Sequence, residues 1–111
     1  MSSGLPPLVQ RALTRFRERV RAEVGDELLS LRVFGSYARG EAHEESDVDV
    51  CVVLRTVPWE KRRAILDHAA DIFLDLEVEI SPTILSEEQV LTWRRQDRPL
   101  VRDIDREGIP L

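Results

Sequence analysis

Residues 33–52, VFGSYARGEAHEESDVDVCV, read as a strand delivered to a glycine, a one-turn helix, a polar loop and a second strand carrying two acids. Neighbours two apart on a strand share a face, so Asp47 and Asp49 present paired carboxylates while Val48 and Val50 point into a core. Such a pair suits Mg²⁺, which is commonly held by one or two carboxylates together with substrate phosphates, and a phosphate-binding element is therefore expected nearby. Gly35-Ser36 is the candidate. A glycine after a strand lets the backbone turn tightly and approach a ligand, and amides at a helix start can face an anion. Arg39, three residues after Ser36, falls on the same side of one helical turn and can offer a guanidinium fork to phosphate oxygens. Gly40 ends the turn.

Outward from this stretch the apolar spacing predicts the remaining elements. Leu8, Val9, Ala12, Leu13, Phe16, Val20 and Val24 recur at helical spacing over residues 6–24, and Gly25 ends that helix. In residues 28–34, Leu29, Leu31 and Val33 alternate with Ser30 and Arg32, giving the strand that delivers the chain to Gly35. Residues 41–46 form a polar loop, with Glu41, Glu44 and Glu45 facing solvent and His43 a loop histidine. The second strand covers 47–54. Pro58 opens a helix whose buried face is expected to comprise Trp59, Ile65, Leu66, Ala69, Ala70, Ile72 and Phe73, with His68 partly exposed on it. Residues 74–80 alternate Leu76, Val78 and Ile80 with Asp75, Glu77 and Glu79, which predicts a third strand with one acidic face. Ser86 and Gln89 form a capping box for a C-terminal helix, interrupted around Arg94 to Pro99 and stopped by Gly108.

The 111 residues are read as one domain, 1–111, with room for a single core and none for a separate substrate-binding domain. The fold class is α/β: a small mixed β-sheet of three or four strands with helices packed mainly on one face. The formal charge of −5 argues against a free-standing nucleic-acid binder. The charge is unevenly spread: residues 1–40 hold seven arginines against four acids, whereas 41–111 hold nine basic and seventeen acidic residues. The row Arg11, Arg15, Arg19 reads as a solvated helix face. Apolar runs are too short to span a bilayer, no signal peptide is visible, and a cytoplasmic location is expected. The lone Cys51 excludes an internal disulfide and a cysteine-based zinc site.

The string GSYARG, five residues, then SDVDV resembles the signature of the polymerase-beta-type nucleotidyltransferases, in particular the minimal stand-alone members often encoded beside a HEPN-type protein. Gly35, Ser36, Arg39, Gly40, Ser46, Asp47 and Asp49 fall on motif positions, and the likeness runs from about Leu31 to the terminal IDREGIPL. The resemblance implies that Gly35, Ser36, Arg39 and Ser46 bind the nucleotide and that Asp47, Asp49 and a third acid hold two Mg²⁺ ions. In that family the third acid is usually an aspartate, and VEISP resembles the segment where it sits, which maps it to Glu79. Glutamate moves the carboxylate by roughly 1.5 Å, one C–C bond length. Glu77 reads as part of an exposed acidic face.

The implied reaction is transfer of AMP from ATP to a macromolecular hydroxyl, with a HEPN-type toxin as acceptor and this chain as its antitoxin. The competing reading is a binding module that neutralises such a partner by forming a complex. A small-molecule adenylyltransferase fits less well, because those enzymes generally carry a further domain for the acceptor. Base preference and homo- or hetero-oligomeric state have no determinant in the sequence, beyond an apolar strip expected on the C-terminal segment.

Overall fold

A computed structural model describes residues 4–43 and 45–111. Met1, Ser2, Ser3 and Glu44, the last expected on the solvent-facing loop, lie outside the described residues. Helix α1 spans Pro7–Val24 with proline in its first turn, and all its buried residues, from Val9 to Val24, lie on the stripe read from the spacing. A short 3₁₀ turn, Gly25–Glu27, leads into β1, Leu28–Phe34. Then come α2, Ser36–Arg39; β2, Val48–Leu54; α3, Trp59–Leu76; β3, Ile80–Ser86; α4, Glu87–Arg95; α5, Pro99–Glu107; and β4, Ile109–Pro110.

The sheet order is β3-β2-β1-β4. β1 runs antiparallel to β2, with Phe34 opposite Asp49, and also antiparallel to β4. β2 and β3 are parallel, Val48 opposite Ile80 and Asp49 opposite Ser81, as the α3 crossover between them requires. One face of the sheet, built from Leu31, Val33, Val48, Val50, Val52 and Ile84, packs against Val9, Leu13, Phe16 and Val20 of α1 and Ile65, Ala69 and Ile72 of α3. Burying each such side chain contributes about 1.5–3 kcal/mol. The other face carries a smaller cluster, Cys51, Leu85 and Ile104, flanked by Phe34, Val53, Val90, Trp93 and Leu100, under the short helices α4 and α5.

Three sequence expectations are corrected. The third strand is not residues 74–80: α3 continues through Leu76, Glu77 caps it in the left-handed conformation (φ 57°), and β3 begins only at Ile80. The period-two alternation there spans the last turn of a helix and a cap. Of the expected buried face of α3, Ile65, Ala69 and Ile72 are buried, whereas Trp59, Leu66, Ala70 and Phe73 are exposed. The C-terminal segment forms two helices, because Asp97 turns through a positive φ of 53° and Pro99 restarts the chain as the first residue of α5. The capping box is present: Gln89 N–H donates to Ser86 Oγ at 3.1 Å and Ser86 N–H to Gln89 Oε1 at 2.9 Å. Within the arginine row, Arg15 pairs with Asp75 and Arg19 with Asp71, so this face of α1 is tied to α3.

Candidate nucleotide and metal site

β1 ends at Gly35, whose φ of 75° and ψ of −152° are open to glycine and costly for other residues. The space beside it is also taken. A Cβ built on Gly35 would collide with a carboxylate oxygen of Asp49 and lie 3.1 Å from its Cγ. The turn and the carboxylate of the adjacent strand are therefore moulded against each other. α2 follows as a single turn: Arg39 N–H donates to Gly35 O at 3.1 Å, and Gly40, left-handed at φ 73°, closes it. The N–H groups of Ser36, Tyr37 and Ala38 precede that first helical bond, as at any helix start.

Asp47 is exposed just ahead of β2, and Asp49 is half-buried within it, on the sheet face opposite the main core. Burial pushes the Asp49 carboxyl above its ordinary range, the neighbouring Asp47 adds to the rise, and Arg39 partly offsets it. Two adjacent carboxylates with insufficient compensating charge make a donor set of hard oxygens, which fits a divalent cation such as Mg²⁺. Glu79 is exposed and sits one residue before β3. Its carbonyl accepts from Val48 N–H at 2.8 Å, which brings its backbone beside Asp47 in the parallel register. Among the described residues no three His, Cys, Asp or Glu side chains converge to hold one ion, so Glu79 joins the pair by register and not by contact. Glu77, as a helix cap, is not on a strand face.

The Arg39 guanidinium is already engaged. Its Nε donates to Glu41 and its Nη1 to Glu107 at the end of α5, both at 2.9 Å, and the bond to Glu41 is the chief cause of its raised pKa. Ser46 ties the loop: its Oγ accepts from His43 N–H at 3.1 Å and its own N–H donates to His43 O at 2.9 Å. His43 Nδ1 accepts from Glu45 N–H at 3.3 Å, as expected of a loop histidine. His68 Nε2 meets Glu23 at 2.9 Å between α3 and α1, away from the carboxylate pair. Sequence reasoning missed Ser81, in register with Asp49, because β3 was misplaced. It also missed Glu107, which lies 68 residues from its partner Arg39 and leaves no local signal.

Residues 13–107 match the family described as nucleotidyltransferase domain. The chain is 31% identical over 81 residues to a candidate protein adenylyltransferase of Methanocaldococcus jannaschii, covering 70% of this chain and 55% of that protein. It therefore spans little more than half the length of that relative. It is 33% identical over 72 residues to the protein adenylyltransferase MntA of Thermococcus cleftensis, covering 65% of this chain and 71% of that one. A solved candidate minimal nucleotidyltransferase superposes with a TM-score of 0.57 at 29% identity, covering 99% of this chain and 100% of the other. A chain from the complex of a tri-AMPylated Shewanella oneidensis HEPN toxin with an MNT antitoxin shares the fold, with a TM-score of 0.55 at 15% identity over 91% of this chain and 69% of that one.

Proposed function

Because this chain belongs to the nucleotidyltransferase domain family, we propose that it transfers AMP from ATP to a hydroxyl of a HEPN-type protein partner, acting as the antitoxin of that pair in the cytoplasm. The observation that supports the reading is the fit of the Gly35 turn against the Asp49 carboxylate, which leaves no room for a Cβ at Gly35 and sets that turn beside the strand that carries the paired acids. The named activity of MntA from Thermococcus cleftensis and the AMPylated HEPN toxin of the Shewanella complex support the acceptor class. No helix among the described residues is long and apolar enough to cross a membrane.

In the proposed reaction an acceptor hydroxyl attacks the α-phosphorus in line and pyrophosphate leaves. The Gly35 turn lets the triphosphate approach the backbone, with the Ser36 hydroxyl and N–H groups as donors. Arg39 exchanges Glu41 and Glu107 for phosphate oxygens. Ser46 holds the loop that leads into Asp47. Asp47 and Asp49, with Glu79 beside them, would hold two Mg²⁺ ions, which when bound offset charge on the attacking and leaving oxygens. Asp49, its carboxyl raised by burial and by Asp47, would be the group most relieved by a cation.

A second reading, a binding module without turnover, is favoured by one observation: among the described residues no third acid closes a cluster with Asp47 and Asp49, not even Glu79, to which the resemblance maps the third acid. Titration calorimetry with AMP-PNP and Mg²⁺, followed by transfer from α-labelled ATP to the copurified partner, separates the two. Metal-dependent binding and labelling, both lost in Asp47→Asn/Asp49→Asn, are expected. Binding without labelling of any partner would leave the module.

A further inference from the structure

We propose that a hollow at the β1 edge of the sheet, separate from the paired acids, binds a phosphate dianion between Arg17, Arg21 and Arg32. The hollow holds about 220 Å³, and no acidic side chain lines it. Arg17 and Arg21 reach it from α1, on the core side of the sheet. Arg32 reaches it from the other side, because its neighbours Leu31 and Val33 on β1 turn into the core. Between the two sides lie Ser30, Pro110 and Leu111. β4 pairs only with Arg32 and Val33, and Leu111 N–H donates to Leu31 O at 2.9 Å. On that side no strand among the described residues lies beside β1 ahead of Leu31, so the edge is open where the arginines meet.

The two flanks of α1 treat their arginines differently. On one, Arg15 and Arg19 meet Asp75 and Asp71 of α3. On the other, Arg17 and Arg21 stand one helical turn apart, where like charges repel. No ion pair or hydrogen bond engages either side chain among the described residues. Arg21 lies in the last turn of α1, where the helix dipole favours a cation whatever it binds. Arg17 has no such reason to be there, and its Nε is one of two side-chain atoms among the described residues that are buried without a hydrogen-bond partner. A buried donor is costly until an acceptor reaches it. Arg32 also makes no hydrogen bond or ion pair among the described residues. Asp105 feels its charge, but Arg94 holds that carboxylate through two 2.9 Å hydrogen bonds, which chiefly keep it below its ordinary range. Gly108 leaves room for the Arg32 stem, since a Cβ there would lie 3.1 Å from Arg32 Cδ.

The donor chemistry selects the ligand. Three guanidinium forks lining one hollow from both sides of a sheet edge match the several oxygens and double charge of a phosphate, whereas a planar carboxylate is satisfied by one fork. The Ser30 hydroxyl, on the Arg32 face of β1, adds a donor. A neighbouring hollow of about 270 Å³ shares Arg17, Pro110 and Leu111 and gives the organic part of an ester a place to lie. From Ser30 to Gly35 the strand rise spans roughly 16 Å, so this site is distinct from the Gly35 turn. The proposal holds whether or not the chain transfers AMP.

NMR of the backbone and arginine side chains at low ionic strength without Mg²⁺ tests it with three probes: inorganic phosphate, phenyl phosphate and a short oligonucleotide lacking a terminal phosphate. Saturable shifts at Ser30, Arg32 and the Arg17 Nε–H are expected with inorganic phosphate, with a dissociation constant of about 1 mM or lower. Arg17→Gln and Arg32→Gln should each weaken binding by about tenfold or more, as for a lost charge-assisted hydrogen bond. Arg11→Gln, at an exposed position of α1 outside the hollow, should leave it unchanged. Arg21→Gln, also at an exposed position, makes the same test if Arg17→Gln fails to fold. Tighter binding of phenyl phosphate would identify an organic ester as the ligand, and equal binding the free anion. No saturation by roughly 20 mM phosphate, an equal response to chloride at matched ionic strength, or shifts confined to Gly35 and Arg39 would overturn the proposal. An oligonucleotide that shifts the same residues and binds more tightly than either phosphate would also overturn it and assign the arginines to a phosphodiester backbone.

Discussion

The two faces of the sheet divide the labour of the molecule. The face under α1 and α3 is filled by residues such as Phe16, Val20, Val33, Val50, Ile65 and Ile72, all fully buried, and carries no buried polar or charged side chain among the described residues. The opposite face of the same strands holds Asp49, Arg32 and Cys51 and is covered only toward one end, by α4 and α5. Along β2 the two faces alternate residue by residue: Val48, Val50 and Val52 face inward, while Asp49, Cys51 and Val53 face the other way. The strand is thus pinned by one set of side chains while the other set stays free to be costly. An acid pair is tolerable where the backbone that bears it is fixed from behind.

That contrast can be broken at its strongest point first. Phe16→Ala should cost about 3–5 kcal/mol, read as a lowered urea midpoint, and should lower nucleotide binding only through the unfolded fraction. Gly35→Ala attacks the other face. Its positive φ and the Asp49 carboxylate in the way should together cost about 1–3 kcal/mol, with nucleotide affinity in calorimetry falling further than the lost stability accounts for. Equal, proportionate losses in both measurements would make Gly35 a structural residue alone.

Cys51 sharpens the comparison because it sits under α5 on the site-bearing face. Burial pushes its thiol up to about 11, so the folded chain keeps the proton that the unfolded chain releases from about pH 9. The unfolded state binds fewer protons in that window, so stability should fall as pH rises from 9 through 11, by about 2 kcal/mol in all. Cys51→Ala should remove that slope, and native labelling of the thiol should be slow. The smallest expected effect has the opposite sign to the rest. Asp49→Asn relieves a carboxylate disfavoured by burial and by Asp47, so the free protein should melt slightly higher while metal-dependent nucleotide binding is lost. A lower melting point would mean that Asp49 serves the fold.

Legibility in the sequence follows the same division. The strand–glycine–helix–strand stretch could be read because its glycines, serines and acids have few alternative uses, and β1, α2 and β2 fall where the residues place them. The end of α3 could not. Leu74, Leu76, Val78 and Ile80 alternate like a strand, yet Leu74 is solvent-exposed on a helix and Glu77 ends that helix with a left-handed cap that no glycine announces. The true third strand holds Ser81, Pro82 and Ser86, a composition suited to a sheet edge and easily passed over. At the site, Asp47, Asp49 and Gly35 were visible in one short window. Ser81 and Glu107 reach it only through tertiary structure, and Glu79 reached it in the sequence reading by resemblance.

The clasp of Arg39 between Glu41 and Glu107 has a consequence for ligand choice. With Arg39 in its proposed role, the two glutamates are tethered competitors for the same guanidinium, present at a high and constant effective concentration. A ligand must outbid both at once. A singly charged phosphate ester matches one carboxylate and gains little by displacing the pair, whereas a triphosphate brings several oxygens and several charges to the exchange. The site at rest would thus be selective by default, open to nucleotides with a full phosphate tail and indifferent to the singly charged phosphodiester that transfer leaves on the acceptor.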